Sequence, residues 1–224
     1  MKVTFDHSQP VAKNITSFWF KPDRQVRYVA GQFIELRIPH EGKDSRGEKR
    51  WFTLSSSPTD ELLSITTKRA PENGSSFKEA LHSLKEGTQL DMASPMGDFI
   101  LPKDASIPLV FVAGGIGCTP FHSIIKFLQD SGEIRDVTLL YAANSEEEVA
   151  FRDTFTPLGN KLKTIIGERL DGQKIKDLGG VTDAHYVYLS GPEPMVEALE
   201  KDLKNLGVNK KHLHTDFFPG YNEI

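Results

Sequence analysis

The sequence predicts two domains, an N-terminal antiparallel six-stranded β-barrel over residues 1–102 and a C-terminal α/β domain with a parallel sheet over residues 103–224. The first part contains short alternating or β-rich runs broken by Gly, Pro and Asp, which is typical of antiparallel strands. These runs are 17–20, 33–38 and 62–67. The second part alternates apolar strands with helical repeats, which is typical of a parallel sheet. The polar stretch 102–106 lies between the two patterns and marks the expected domain boundary.

The barrel segment 50–55, Arg-Trp-Phe-Thr-Leu-Ser, combines a cation, aromatic rings and a hydroxyl on one extended strand. Side chains alternate between the two faces of a strand, so Arg50 and Phe52 share a face. A guanidinium can hold a pyrophosphate through charge-assisted hydrogen bonds, and an aromatic ring can pack against an isoalloxazine. Thr53 can form a hydrogen bond near the reactive N5 atom of that ring. The segment therefore predicts a flavin site, although an arginine two residues before an aromatic also occurs in ordinary strands.

The stretch 74–79, Gly-Ser-Ser-Phe-Lys-Glu, predicts the start of a short amphipathic helix. Ser76 and Glu79 have the spacing of a capping box. The free backbone N–H groups at a helix N-terminus attract anions. We therefore expect this loop and Arg50 to clamp the two phosphates of FAD from opposite sides. The alternative is a well-capped surface helix.

The apolar strand 107–113 runs directly into the turn Gly-Gly-Ile-Gly-Cys-Thr-Pro at 114–120. Apolar residues behind this turn repeat at helical spacing, so the turn opens a helix that packs on a sheet. The pattern is G-x-G-x-x-P, and Pro120 suits the first turn of a helix. Small residues allow a cofactor to approach the backbone, and the helix start favours its phosphates.

The strand that begins at Tyr186 likewise breaks at Gly191 before a helix. Ligands of open α/β sheets bind beyond the carboxyl ends of the strands. We therefore expect residues 115–119 and 190–195 to frame one nucleotide-binding crevice. The alternative is ordinary packing of strands against helices.

Taken together and in this order, these features resemble the ferredoxin–NADP reductase superfamily, whose members pair a flavin barrel with a nicotinamide-binding domain. The resemblance covers nearly the whole chain. Its motifs are Gly31-Gln32-Phe33, residues 50–53, Ser76-Phe77-Lys78, Gly97-Asp98-Phe99, residues 114–120, Gly191-Pro192 with Met195, and the aromatic C-terminal stretch 216–221.

The resemblance implies roles for individual residues. Arg50 binds pyrophosphate, Phe52 contacts the flavin and Thr53 faces N5. Ser76 caps the phosphate-binding helix, and Thr119 contacts the nicotinamide half of the coenzyme. The residues expected at the hydride-transfer step are Thr53, Ser190, Asp216 and Phe218. Those expected to bind the cofactors are Arg50, Trp51, Phe52, Thr53, Leu54, Thr67, Lys68, Gly74, Ser75, Ser76, Phe77, Gly115, Gly117, Cys118, Thr119, Pro120, Asn144, Gly191, Pro192 and Met195.

Two departures from the family pattern concern the hydride-transfer residues. Ser190 stands where many relatives have a cysteine, and Asp216 stands where relatives often have a glutamate. A hydroxyl can still contact the nicotinamide ring, whereas a shorter carboxylate has less reach.

A third departure concerns the choice of coenzyme. Relatives often carry an arginine near the position of Asn144, and a 2′-phosphate needs such a cation. Three glutamates, at 146–148, follow here instead. We therefore expect a slight preference for NADH over NADPH, with Arg152 and Arg169 as the opposing indication.

Composition excludes several other classes of protein. The chain has a formal net charge of -4, which gives no general attraction to nucleic acid. No apolar run approaches the ~20 residues of a membrane span, and the first residues lack the core of a signal peptide, so we expect a cytoplasmic protein. Cys118 is the single cysteine, so neither an internal disulfide nor a four-cysteine iron–sulfur cluster is expected. The histidines show no metal-ligand spacing, and no metal site is expected.

The function expected from these observations is that of a flavin-dependent NAD(P)H oxidoreductase. Hydride passes from the nicotinamide to N5 of FAD, with FMN less expected, and electrons then pass to a separate acceptor such as ferredoxin or a small molecule. Phe218 and Tyr221 are expected to cover the flavin face, or else simply to pack against the barrel. One alternative function is a non-catalytic flavin subunit that relays electrons within a larger complex. Another is a flavin-free nucleotide-sensing module.

Overall fold

The computed structural model describes residues 1–69 and 74–218. Six strands form the first sheet, and helix α1 (Ser76–His82) lies between the last two of them in the sequence. The strands are β1 (Lys2–Ala12), β2 (Ile15–Pro22), β3 (Phe33–Arg37), β4 (Lys49–Thr53), β5 (Leu63–Lys68) and β6 (Gln89–Met92).

Neighbouring strands of the first sheet run antiparallel, in the order β4-β3-β6-β1-β2-β5. A bridge between Leu54 and Ile65 joins the two ends of this order and closes the barrel. Alternate residues point inward, as the two-residue period of a strand requires. Ile34 and Leu36 of β3 therefore pack in the barrel core, together with Phe77 of α1. The predicted six-stranded antiparallel barrel is confirmed.

The second sheet has five parallel strands in the order β11-β10-β7-β8-β9. The strands are β7 (Leu109–Gly114), β8 (Val137–Ala143), β9 (Leu162–Ile166), β10 (Tyr186–Pro192) and β11 (Leu213–Phe218). The α-helices are α2 (Thr119–Ser131), α3 (Arg152–Phe155), α4 (Gly172–Gly179) and α5 (Glu193–Asn205). Short 3₁₀ helices occupy Gly115–Cys118, Glu146–Glu148, Thr156–Lys161 and Lys210–His212.

Helices cover both faces of this sheet. Phe111 of β7 packs with Phe121 of α2 on one face, whereas its neighbour Val112 packs with Leu199 of α5 on the other. The chain order along the sheet reverses between β7 and β10, and ligands of such folds bind at this switch point. The predicted parallel α/β domain is confirmed, and the ends of β7 and β10 lie side by side as expected.

Helix α2 holds the second sheet against the barrel. His122 donates from Nδ1 to the Ser55 carbonyl at 2.6 Å, and Ser123 donates to the Ser56 carbonyl at 2.5 Å. His122 is buried and stacks on the Phe151 ring, with 3.8 Å between ring centres. A salt bridge between Lys13 of the barrel and Glu147 adds an exposed link. Hydrogen bonds from side chains of α2 to backbone carbonyls of the barrel therefore join the two domains, in addition to apolar contacts.

The last strand of the barrel ends at Met92, and the first strand of the second sheet begins at Leu109. The division between residues 102 and 103 stays a prediction. Across residues 1–69 and 74–218, no helix combines the length and apolarity that crossing a bilayer requires. The cytoplasmic location also stays a prediction.

Candidate functional site

The barrel and the second sheet meet where Thr53 ends β4 and Asp216 lies near the end of β11. The Thr53 hydroxyl donates a long hydrogen bond of 3.5 Å to Asp216 Oδ2. Burial is the largest cause that raises the pKa of Asp216, to about 6, and the charge of Asp98 also raises it. The hydroxyls of Thr53 and Ser190 act in the opposite direction and lower this pKa. The carboxyl therefore changes its charge close to neutral pH.

Ser190 lies beside Asp216 in the register of the parallel strands. Its hydroxyl is buried and makes no hydrogen bond of acceptable geometry within the described part of the chain, although it is close enough to affect the pKa of that carboxyl. Buried polar groups normally find a partner. This orphaned hydroxyl is therefore a group that a bound ligand can satisfy.

The structure thus brings together three of the four residues expected at the hydride-transfer step: Thr53, Ser190 and Asp216. The fourth, Phe218, is the last residue of β11, and its backbone pairs with Pro192. The position of its side chain is not described. Tyr221, expected to cover the flavin with it, lies outside the described residues.

The glycines of the nucleotide turn serve two different purposes. A Cβ at Gly117 would lie 2.2 Å from the Ser190 carbonyl oxygen, and one at Gly191 would lie 3.2 Å from the Gly114 Cα at the end of β7. These two glycines therefore allow the ends of β7 and β10 to pack against each other. Gly115, in contrast, has a φ of 53° and no neighbour within 4 Å of its Cβ position. Among these three glycines, only Gly115 leaves open space for the approach expected of a cofactor.

The remaining residues of the turn are largely occupied within the protein. Cys118 is fully buried and accepts a hydrogen bond from the Tyr141 hydroxyl at 3.2 Å, and burial raises the pKa of its thiol to about 12. The side chain therefore packs rather than reacts. The buried Thr119 donates to the Ile116 carbonyl at 3.1 Å, and Pro120 lies in the first turn of α2 as expected. A contact of Thr119 with nicotinamide stays a prediction.

Arg50 is held in place at the start of β4. Its side chain is 7 % exposed, and its guanidinium carbon lies 5.1 Å from the centre of the Phe77 ring. Nη1 donates to the carbonyls of Arg46, Gly47 and Lys49 at 2.7, 3.2 and 2.6 Å. The cation expected to bind a pyrophosphate is therefore fixed by its own loop and supported by an aromatic ring.

The helix near Arg50 is capped one residue earlier than predicted. Ser75 has an extended backbone and accepts a hydrogen bond from the Lys78 N–H at 3.2 Å, so it is the N-cap. Ser76 is already the first helical residue. The predicted capping box of Ser76 and Glu79 is therefore wrong, because a cap must have a non-helical backbone. The Glu79 carboxylate instead lies against Gly74, where a Cβ would be 3.0 Å from its Oε1.

The other residues predicted on β4 point in different directions. Trp51 is 65 % exposed and stacks on Phe33, with 5.3 Å between ring centres. Phe52 lies on the opposite face, where its ring centre is 5.9 Å from that of Phe77. The Leu54 side chain is buried in the barrel core. Phe52 therefore shares the Phe77 side of β4 with Arg50, whereas Trp51 faces solvent and Leu54 faces the barrel core.

Two residues expected to bind the cofactors, one from each domain, converge on one carboxylate. Lys68 of the barrel forms a 2.9 Å salt bridge with Glu148, and Asn144 of the second domain donates to the same carboxylate at 3.4 Å. Thr67, next to Lys68, is buried. Glu148 thereby links the two domains at this point.

A pocket of about 580 Å³ opens at the carboxyl edge of the second sheet. Its lining residues are Arg169, Leu170, Asp171, Pro192, Pro194, Met195, Ala198, Leu199 and Asp202. The sequence predicted Pro192 and Met195 in the site and noted Arg169 only as a possible phosphate partner. Pro194 lies within the predicted range 190–195. The remaining lining residues were missed because they follow β9 or lie on α5 without a motif; the signal that the sequence offered was the glycine break after β9, at Gly167.

The part of the chain that the structure describes contains no group of three or more His, Cys, Asp or Glu side chains arranged to hold a metal ion. The side chains and backbone at the site supply hydroxyls, one titrating carboxyl, a fixed guanidinium and glycine turns. This set can bind, orient and tune a ligand.

Both the sequence and the fold resemble those of known proteins. Residues 111–170 match the family model of the oxidoreductase NAD-binding domain. The chain is 28% identical to a flavohemoprotein of Oceanobacillus iheyensis, over 92% of this chain and 56% of the relative. The chain therefore spans little more than half the length of that relative.

Two solved structures are similar over nearly the whole chain. One is the flavohem-like FAD/NAD binding domain of nitric oxide dioxygenase from Vibrio cholerae O1 biovar El Tor, with a TM-score of 0.80, 24% identity and 98% of each chain covered. The other is the ferredoxin-NADP+ reductase from Plasmodium falciparum, with a TM-score of 0.78, 18% identity and 97% and 95% of the two chains covered. At these identities the likeness shows a shared fold.

Proposed function

We propose that this chain is a member of the ferredoxin–NADP reductase superfamily, and that it is an FAD-dependent NAD(P)H oxidoreductase that delivers electrons to a separate acceptor. The observation that carries this proposal is the contact of Thr53 with Asp216, which joins the flavin strand of the barrel to the nucleotide edge of the second sheet. When bound, FAD would accept a hydride from the nicotinamide and release two electrons, singly or together. The Vibrio cholerae domain is named for FAD and NAD binding, which supports both cofactors here.

The barrel residues fit the diphosphate of FAD. Arg50 is buried, and Lys78 of α1 lies near it. Burial is the main cause that lowers the pKa of the Lys78 ammonium group, and the charges of Arg46 and Arg50 lower it further. Cations crowded in this way are stabilised by an anion. Arg50 would hold the diphosphate, and Phe52 and Phe77 would support the flavin end.

The second-domain residues would hold the coenzyme against the barrel. The open space at Gly115 and the pocket beside Arg169 lie at the carboxyl edge of one sheet, and we assign them to the diphosphate and the adenosine half respectively. The Ser190 hydroxyl and the Asp216 carboxyl would then orient the nicotinamide ring next to Thr53. Orientation of the two reacting rings is the main rate effect that this chain must supply.

The coenzyme preference is proposed to be NADH. Arg152 is one candidate partner for the 2′-phosphate of NADPH, but it donates to the Glu146 carboxylate at 2.6 Å. The phosphate would have to displace this carboxylate from Arg152. Arg169, which lines the pocket, is the cation that could still support NADPH. The acceptor is proposed to be another protein or a small molecule, because this chain carries one cysteine and so cannot form a four-cysteine cluster.

Anaerobic stopped-flow mixing of the FAD-loaded protein with NADH or NADPH tests the proposal. We expect rapid bleaching of the flavin absorbance by NADH and slower bleaching by NADPH, followed by reoxidation when an acceptor is added. Flavin that binds but stays oxidised with both coenzymes would favour the electron-relay subunit. A protein that stays colourless after incubation with FAD would favour the nucleotide-sensing module.

A further inference from the structure

The loop between β3 and β4 places a carboxylate among the groups assigned to the diphosphate of FAD. Asp44 Oδ2 accepts a hydrogen bond from the backbone N–H of Ser76 at 3.1 Å and from Arg46 Nη2 at 2.6 Å. Asp44 Oδ1 lies 3.5 Å from Arg50 Nη2. One acid of the chain itself therefore contacts both the helix start and the arginine that the diphosphate would use.

Asp44 and Ser76 are joined by two hydrogen bonds, because each residue's side chain accepts from the backbone N–H of the other. The Ser76 hydroxyl accepts from the Asp44 backbone N–H at 3.0 Å. His40 donates from Nδ1 to the Ile38 carbonyl at 2.7 Å, and its Nε2 lies within hydrogen-bond distance of the Ser76 hydroxyl, at 3.0 Å. Ser76, which does not cap α1, is thus used to hold the loop.

The charge of Asp44 is stabilised in this position. Its side chain is 25% exposed, and the hydrogen bond from Arg46 is the largest cause that holds the pKa of its carboxyl well below the usual range. Carboxylates and phosphates accept from a guanidinium in the same way. A diphosphate and the Asp44 carboxylate would therefore compete for the same donors, and the two anions would repel each other if both were present.

We propose that Asp44 is an internal competitor of the FAD diphosphate, and that the loop 41–47 must leave Ser76 and Arg50 when FAD binds. Gly42 and Gly47 flank the loop with φ values of 64° and 69° and no neighbour near their Cβ positions, so both ends can change conformation at low cost. Removal of the charge at Asp44 raises the affinity for FAD. The inference rests on the proposed binding of FAD in the barrel.

The test is titration of the flavin-free full chain with FAD, followed by flavin fluorescence, for the wild type, Asp44→Asn and Glu48→Gln. Glu48 is the matched control because it lies near the same loop and loses the same charge, but its carboxylate binds Arg37 and Lys43. Loss of a charge-assisted hydrogen bond from the free state alone predicts that Asp44→Asn binds FAD about threefold to tenfold more tightly. Glu48→Gln is expected to stay within about twofold of the wild type, as for exposed ion pairs.

Hydrogen exchange on the wild-type protein gives a measurement that does not depend on the variants. The backbone amides of Asp44 and Arg46 bond to Ser76 and to the Asp44 carboxylate, so FAD should speed their exchange. FAD affinity that is unchanged or weaker in Asp44→Asn, or unchanged protection of these amides, would overturn the inference while leaving FAD binding intact. Failure of the wild type to bind FAD would remove the proposed function as well.

Discussion

Thr53 of the barrel and Asp216 of the second sheet face each other across the domain boundary, with 3.5 Å between the threonine hydroxyl and the carboxylate. The two residues are 163 positions apart in the chain. Asp216 is also the carboxyl whose pKa burial raises to about 6. The proposed hydride-transfer site therefore contains a charge that changes within the range of ordinary assay conditions.

We expect the Asp216→Asn variant to remove a pH dependence from hydride transfer. In the wild type, the rate of flavin bleaching by NADH should change around pH 6, where the carboxyl ionises. Stopped-flow rates from pH 5 to pH 8 measure this. Asp98→Asn is the control, because the charge of Asp98 raises the pKa of Asp216 and its loss should move the inflection to lower pH. An inflection that survives in Asp216→Asn would assign it to another group.

The same substitution has an effect on stability with a definite sign. The folded protein holds the Asp216 proton more tightly than the unfolded chain does, since its pKa is raised from 3.8 to about 6. This contribution to stability is complete below pH 3.8 and is lost as the pH rises through 6. We therefore expect Asp216→Asn to be more stable than the wild type at pH 8, by about 1–3 kcal/mol. Urea denaturation at pH 8 and pH 4 measures the difference, which should disappear at the lower pH.

Replacement of Arg50 should weaken the binding of FAD more than the binding of the nicotinamide coenzyme. Removal of a guanidinium from a diphosphate predicts that Arg50→Ala loses about tenfold to a hundredfold in FAD affinity. Arg50→Lys keeps the charge but not the paired geometry of a guanidinium, so its FAD affinity should lie between those of the wild type and Arg50→Ala. Equilibrium titration of the flavin-free protein measures these affinities. Arg37→Ala, which removes an exposed arginine paired with Glu48, should bind FAD normally; equal losses in Arg37→Ala and Arg50→Ala would contradict a specific role.

The two kinds of glycine in the nucleotide turn should respond differently to alanine. Gly117→Ala would force a Cβ to within 2.2 Å of the Ser190 carbonyl oxygen, and such overpacking should cost about 3 kcal/mol or more. Gly115→Ala meets no neighbour but keeps a positive φ, which costs about 1–2 kcal/mol. Chemical denaturation gives the stabilities. NADH affinity should fall in Gly115→Ala, because its Cβ would enter the open space assigned to the coenzyme.

Release of Arg152 should increase the use of NADPH. Glu146→Gln removes the carboxylate that Arg152 binds at 2.6 Å, so the guanidinium becomes available to a 2′-phosphate. One additional charge-assisted hydrogen bond predicts a rise of roughly tenfold in the ratio of kcat/KM for NADPH to that for NADH. Steady-state assays with ferricyanide as acceptor measure the ratio. Glu147→Gln is the matched control, since its carboxylate binds Lys13 instead; the same ratio in both variants would speak against Arg152.

His122 should make the junction of the two domains sensitive to acid. Burial is the main cause that lowers the pKa of His122 from 6.5 to about 4, so the unfolded chain takes up this proton more readily than the folded protein. Stability should therefore fall as the pH drops from 6.5 towards 4, by up to about 3 kcal/mol from this group. His122→Asn keeps a donor for the Ser55 carbonyl and should flatten that part of the profile. Urea denaturation across this range tests it.

The sequence predicted best those features that depend on neighbours along the chain. The alternating runs predicted the barrel strands, and the glycine breaks after β7 and β10 predicted two strand ends that now lie side by side. Gly117 shows the limit of this reasoning. The motif explains why a small residue stands at this position. It does not show that a larger side chain would collide with the Ser190 carbonyl, which belongs to a strand far along the chain.

Residues without a periodic pattern or a motif could not be placed in advance. Asp44 lies in a polar loop that carries no periodic pattern, and its partner Ser76 follows 32 residues later. The capping position was misassigned for a related reason. Ser75 and Ser76 are equivalent as residue types, and only the backbone conformation decides that Ser75 caps the helix.

By itself, the sequence determined the two sheets, the two turns that follow buried strands and the presence of a guanidinium on β4, because strand period and glycine spacing are local properties. The family resemblance had grouped Thr53, Ser190 and Asp216, but only the tertiary structure decided the contacts among them, since strand order and the docking of α2 bring them together. It also decided the raised pKa of Asp216 and the occupation of the Arg50 site by Asp44. Burial and charge depend on what surrounds a side chain in space, and the linear order of residues does not contain that information.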